Sequence, residues 1–405
     1  LQWRNWPRWW PELPAWIYEF DCRVPSPVFT AHLTMRKFQQ YVLPGIIFQS
    51  VLIGGAYSTG REIVQYGARF GPRGLWSIAA IFLGFSLMCV LAFEFARVSR
   101  AYDYKNFVRA LIGPAWPLFD VLFFAMAILV IAVVGAASGD VVEEILDLPY
   151  WVGVVVVVCL VGALNTSGRA AIERFKTVGS VVLYVGYILF AGAVLYERWP
   201  QTMVALREGP GTAGGDAGAS IAAAFGVGIL YVGYNLASLP AAFFTLDRQT
   251  TRRQAFGAGI IGGLMATVPF VLTYLAIMGY YPDAEVTTAN VPWLVMLGRV
   301  GGDTLLAVFA FVVVWTLVET STGMIHAIIE RVTVNLAEVG RQPMSRRQVG
   351  TLTVAVLVLA AVLSRFGLIE LVARGYTLMA YGFLLLFALP LCTVGVYRIF
   401  KASAR

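Results

Sequence analysis

Ten apolar runs divide the chain, near residues 41–66, 75–96, 116–138, 150–165, 176–196, 218–245, 254–280, 303–334, 348–364 and 370–397. Most approach or exceed the ~20 residues with which an α-helix crosses the hydrocarbon core of a bilayer. Gly, Pro and charged residues fill the gaps, as in Gly71-Pro72-Arg73-Gly74 and Asp247-Arg248-Gln249, and such clusters end helices. Inside lipid every backbone polar group must be satisfied internally, which makes runs of this length helices. The pattern predicts an all-α integral membrane protein with ten transmembrane helices.

Runs one and six are broken. Run one contains Pro44 and Gly45, then Gly54-Gly55-Ala56-Tyr57-Ser58-Thr59-Gly60-Arg61-Glu62. Glycine weakens a helix by about 1 kcal/mol per residue relative to alanine, so this cluster favours unwinding at mid-depth. Run six carries Gly226, Gly228, Gly233, Tyr234, Asn235 and Pro240, with its centre near Tyr231–Asn235. The two runs are five helices apart. An odd offset starts the second set of five on the opposite side of the membrane, which predicts a 5+5 inverted repeat. The expected organisation is a Trp/Pro-rich arm over residues 1–40, repeats over 41–196 and 218–397, and a tail over 398–405. Unwound backbone at the midplane must line a cavity or lie buried in protein. Its carbonyls can hold a cation, and the half-helix N-terminus can face an anionic group.

Run eight adds a polar stripe. Thr316, Glu319/Thr320, Gly323, His326/Ala327 and Glu330 recur at helical spacing, and lipid would reject that face. Glu319 falls at mid-depth, where an ionisable group is a candidate for function. Thr320 and Ser321 offer hydroxyls suited to a small hard cation, although a hydroxyl in a helix more often bonds back to its own backbone. A carboxyl at Glu319 can instead carry a proton.

Charge sets the orientation. With the N-terminus on the cytoplasmic side, 22 of the 30 Lys and Arg residues fall in cytoplasmic segments, as the positive-inside rule requires. Both termini are then cytoplasmic, in the inner or plasma membrane, and the acidic loop Asp140, Glu143, Glu144 and Asp147 lies outside. The chain is 59% hydrophobic and only 13% charged, against about 25% charged in soluble domains. Its net charge of +7 sits between the runs and not on one face, which excludes a nucleic-acid surface. Trp3, Trp6, Trp9, Trp10 and Trp16 suit the arm to the membrane interface or to a protein partner. No apolar leader region is visible there. Four cysteines without a CxxC pair and two histidines give no metal or disulfide framework. HExxH and GxSxG are absent, so an enzyme is not expected, nor a cofactor beyond a transported Na⁺.

These features resemble the LeuT fold of the amino acid–polyamine–organocation superfamily. Residues Gly168 to Lys176, with Ile172-Glu173-Arg174-Phe175, resemble the inner loop before helix five of neurotransmitter:sodium symporters. Gly54–Glu62 with Tyr231–Asn235 is similar to YkvI-like membrane proteins, where a Gly-Ala-x-x-Ser/Thr-Gly-x-Glu pattern recurs. The resemblance spans about residues 38–400 and implies a secondary transporter, a cation-coupled symporter of a small polar or zwitterionic solute such as an amino acid or amine. It places solute beside Ala56, Ser58, Gly60, Arg61, Tyr231, Tyr234 and Asn235. It places Na⁺ among the carbonyls of Gly54 and Tyr57 and the hydroxyls of Thr320 and Ser321, or Ser321 and Thr322 if the register slips by one. Arg61, which stands where an uncharged polar residue is expected, and Glu62 become candidates for an outer gate; Arg61 also suits a solute carboxylate, whereas the tyrosines suit an ammonium. A transport-inactive receptor or an uncoupled channel is the alternative.

Overall fold

The computed structural model describes residues 36–166, 169–208 and 220–403, with the side chains of Ala56, of 166–181 and of 183–184 left aside. The Trp-rich residues of the N-terminal arm and most of the loop resemblance at Gly168–Lys176 lie outside the described residues or side chains. Run one is α1 (Leu43–Leu52), a 3₁₀ turn (Gly55–Thr59) and α2 (Arg61–Tyr66). Then follow α3 (Gly74–Ser99), a short α4 (Tyr104–Ile112), α5 (Trp116–Leu146), α6 (Tyr150–Thr166) and α7 (Arg169–Glu208). The second half holds α8 (Ile221–Asn235), α9 (Arg252–Met278), a short α10 (Ala284–Thr288), α11 (Pro292–Glu338), α12 (Arg346–Ser364) and α13 (Leu368–Ala402). Seven helical stretches among the described residues are long and apolar enough to cross a membrane by themselves. With the broken first span, α6 and α7, the chain makes ten crossings.

The differences from expectation have local causes. Run six is α-helical through Asn235 and then tightens to 3₁₀ over Leu236–Arg248. Pro240 lies in that stretch and cannot donate the backbone bond an α-helix needs there. The break is therefore a change of pitch beyond Asn235. Run eight begins at a kink: Gly302 adopts φ 60° inside α11, and the polypeptide is already helical from Pro292. α4 and α10 were hidden by their length. Several helix starts are set by caps: Thr251 with Gln254 and Ser345 with Gln348 form capping boxes, and Asp103 caps α4.

Two sets of helices emerge from the contacts. α3 packs along α9 and α8, and α1 along α9, so spans one, two, six and seven form one set. α5 packs against α6, α11 and α12, and α6 against α11, so spans three, four, eight and nine form the other. Each half of the chain gives its first two spans to one set and its third and fourth to the other, as an inverted repeat requires. α7 touches both sets through α9 and α11, and α13 runs beside α8. Leu83, Ile188, Phe311, Val358 and Leu385 are exposed on the outside, where lipid would cover them. In lipid, helices associate through close packing and hydrogen bonds. Gly259 brings α9 so near α3 that a Cβ there would stand 2.6 Å from Val90 Cα. Thr202 Oγ1 donates to the Leu275 carbonyl at 3.2 Å, joining α7 to α9.

This packing sets a test. Gly259→Val overfills the α3–α9 seam and should cost about 1–3 kcal/mol, read as a lower melting temperature of the purified protein. Gly226→Val, whose added carbons have a Cβ position with nothing within 4 Å, should leave it nearly unchanged.

Candidate substrate cavity

The break in span one starts where α1 ends. Gly54 is extended (φ −159°, ψ 176°), the turn Gly55–Thr59 follows, and Gly60 at φ 83° redirects the chain into α2. The unwound backbone is satisfied locally and across the helix sets. Tyr57 N–H donates to the Gly54 carbonyl at 3.0 Å, and Gly60 N–H to the Tyr57 carbonyl at 3.1 Å. Gly55 N–H donates to Thr320 Oγ1 on α11 at 3.1 Å. Only glycine fits at 54, since a Cβ would lie 2.5 Å from that hydroxyl oxygen.

A cavity of about 680 Å³ lies between the two helix sets and reaches the break. Its walls come from Ser50–Gly54, from Tyr234 to Phe244 on span six, from Phe123 to Val130 on α5, and from the stripe Thr316, Glu319, Thr320, Gly323, His326, Ala327 and Glu330 on α11. The stripe read from the sequence thus faces the cavity. The wide end is rimmed by exposed Asp103, Phe244 and Glu330. The narrow end holds Glu62, Tyr234 and Tyr376, all buried. Tyr234 Oη donates to Glu62 Oε2 at 2.6 Å.

Beyond the narrow end the protein is closed. Ser58, Gly60 and Arg61 lie on this side and not on the cavity. A Cβ at Gly60 would meet Trp293 at 3.0 Å, and Ser58 Oγ donates to the Gly55 carbonyl at 2.7 Å. Arg61 is 7% exposed, and its Nη1 donates to the carbonyls of Thr287 (2.8 Å) and Ala289 (3.1 Å) at the end of α10. α10 is held in turn by Arg299, paired with Asp283 at 2.5 Å; that hydrogen bond holds the Asp283 carboxyl below the usual range. Arg61 is therefore turned away from the cavity and out of reach of a solute carboxylate in this conformation.

The remaining candidates separate in the same way. Tyr234, Asn235, Gly54, Glu62, Glu319 and Thr320 line the cavity. Tyr231 is fully buried behind it, edge-on to Phe270 at 4.9 Å. Tyr57 is fully buried beside Tyr187. The side chain of Ala56 lies outside the described part. The proposed cation ligands converge only in part: Gly54 and Thr320 meet. Thr320 faces Gly55, whereas Ser321 lines a small void among α5, α6 and α12. Successive residues on a helix diverge by about 100°, so neighbours in sequence serve different faces. Thr322 is fully buried as well. No cluster of His, Cys, Asp and Glu suited to a metal occurs among the described residues.

The sequence reading passed over two features. Tyr376, a tyrosine in the apolar tenth run, reaches the narrow end. Arg331 and Asp120 form an ion pair at 2.8 Å with both side chains about 6% exposed; two opposite charges buried at the ends of spans were its available signal.

No protein-family model and no curated protein matches the sequence. Solved structures do match. Mhp1, a nucleobase-cation-symport-1 family transporter in a closed conformation with bromovinylhydantoin bound, is 13% identical over 85% of this chain and 75% of that one, with a TM-score of 0.54. A Na⁺-coupled sialic acid symporter in a substrate-bound outward-open state is 10% identical over 91% and 85%, at 0.48. A manganese transporter from Eremococcus coleocola is 12% identical over 94% and 95%, at 0.46. The fold is the LeuT-like inverted repeat.

Removing the Arg61 clamp should open the closed side. Two charge-assisted bonds at about 1.5–3 kcal/mol each hold it. In a chain without its four cysteines, Ser58→Cys should resist a water-soluble thiol reagent, and adding Arg61→Gln should speed its labelling by about tenfold or more. Ala327→Cys on the cavity wall should label in both backgrounds. Equal rates at Ser58→Cys would remove Arg61 from the closure.

Proposed function

We propose that this protein is a secondary active transporter that moves a small polar organic solute by alternating access, coupled to a cation. One observation carries the reading. A cavity open to one face ends at a broken helix between two sets of helices, and a packed layer with Arg61 closes the other side. A site at a break between inverted repeats, reached from one side at a time, is how such transporters work. The name of Mhp1's family, a cation symport family, supports the same reading. On this view the protein belongs with the YkvI-like members of the amino acid–polyamine–organocation superfamily and carries an amino acid or an amine across the inner membrane, with both termini cytoplasmic.

For the coupling ion, sodium is the first reading. Gly54 and Thr320 already meet across the two sets, and the Gly54 and Tyr57 carbonyls each retain a lone pair. A small rotation of α11 would be needed to bring Ser321 to them. Glu319 and Glu62 on the cavity support a proton instead. Reconstituted protein in liposomes separates these. A sodium gradient should drive uptake, and Thr320→Ala should reduce sodium-driven uptake about tenfold while Glu319→Gln retains part of it. Proton coupling reverses the pattern: Glu319→Gln abolishes pH-driven uptake and sodium has no effect. Uptake that persists after both gradients collapse overturns symport and leaves a channel or facilitator.

A further inference from the structure

We infer that the solute is an organic cation, an amine without a carboxylate, with its ammonium held at the narrow end by Glu62, Asn235 and Tyr376. This rests on the cavity being the solute site. The cavity wall carries four carboxyl groups, at Glu62, Asp103, Glu319 and Glu330. Its two cations are already engaged. Arg331 pairs with Asp120, and its guanidinium lies over Phe123 at 3.6 Å and Tyr104 at 3.8 Å. Lys105 pairs with Glu338 at 2.8 Å and hydrogen-bonds Asn335. Neither Asp120 nor Glu338 lines the cavity, so the wall itself is acidic.

A carboxylate finds little to bind there. Arg61 is turned away to the Thr287 and Ala289 carbonyls. Three amides at the break are used: Gly55 N–H by Thr320, Tyr57 N–H by Gly54 and Gly60 N–H by Tyr57. In a partly dehydrated site a like charge is repelled more strongly than in water, and an unpaired carboxylate keeps its desolvation penalty.

An ammonium finds acceptors. Asn235 is 6% exposed, and its Nδ2 donates to the Tyr231 carbonyl at 2.9 Å. That bond fixes the amide's orientation, because a carbonyl accepts only from the nitrogen, and leaves Oδ1 as a free acceptor. Tyr376 is 2% exposed and lines the cavity. Glu62 receives Tyr234 Oη on Oε2 and retains Oε1. The rings of Tyr234 and Tyr376 pack together with centroids 4.6 Å apart, which holds both side chains at this end of the cavity.

The test uses pairs that differ by one carboxylate: agmatine and arginine, cadaverine and lysine, tyramine and tyrosine. Each is added to purified, detergent-solubilised protein, and the melting temperature gives its affinity. At least one amine should stabilise the protein while its parent amino acid does not. Glu62→Gln should weaken that amine about tenfold or more, and Tyr376→Phe by a smaller factor. If Glu62→Gln fails to fold, Glu319→Gln takes its place and should weaken the amine likewise. An amino acid that binds as tightly as its amine overturns the inference, as does a panel in which no amine binds. Liposome uptake keeps the two readings apart. An amine that binds but is not taken up supports this inference and counts against transport. Gradient-driven uptake of an amino acid does the opposite.

Discussion

An interrupted backbone at the midplane of the membrane is the constraint on which the rest of the structure depends. Residues Ile53 to Gly60 leave the helical pattern where water is scarce, and each unsatisfied backbone group there would cost several kcal/mol. The turn answers most of this itself, with Tyr57 N–H on Gly54 and Ser58 Oγ on Gly55. The amide of Gly55 is taken by Thr320 from the opposite helix set. That bond explains three residues together. Thr320 must carry a hydroxyl, position 54 must lack a side chain, and α11 must present a polar face at this depth. The cavity follows, because a polar helix face and an ended helix leave space that lipid cannot fill.

The polar joints around the cavity differ in kind. At the break the joint is one neutral hydrogen bond, worth about 0.5–1.5 kcal/mol net. On the closed side Arg61 on α2 bonds carbonyls near α10, a stronger, charge-assisted contact. At the wide end the charged groups behave otherwise. Arg331 and Asp120 belong to α11 and α5, in the same set, so their buried pair stiffens that set and does not lock it to the other. Lys105 and Arg109 on α4 reach Glu338 at the end of α11, which ties a connecting helix to the rim.

How much was legible follows from what each signal encodes. The ten spans were readable because bilayer thickness fixes their length, and the break in span one because glycine clusters have few other uses at mid-depth. The stripe on α11 was readable because 3.6-residue spacing survives in sequence. Ser321 faces away from the break in this conformation because a one-residue step turns a side chain by about 100°, and only the packed partner decides which of two hydroxyls faces it. Arg61 could not be placed because its partners are backbone carbonyls 226 and 228 residues away, and every residue has a carbonyl. Tyr376 was unremarkable in an apolar run until α13 was packed beside α8.

The closed side also carries an energetic debt that bears on function. Tyr231 Oη and Arg61 Nε are buried without a hydrogen-bond partner among the described residues. Leaving such a group dry destabilises the protein by about 1–3 kcal/mol, and more for a charged one. Both lie in the packed layer beyond the narrow end, within a turn or two of the broken segments. Water admitted from that side would satisfy them, while the bonds of Arg61 to Thr287 and Ala289 would be lost. The two effects oppose each other and are of similar size, so these groups by themselves favour neither arrangement by many kcal/mol. A two-state equilibrium can be shifted only by the difference in ligand affinity between its states. A closure that leaves Tyr231 Oη and Arg61 Nε unpaired is thus opposed from within by the very residues that form it.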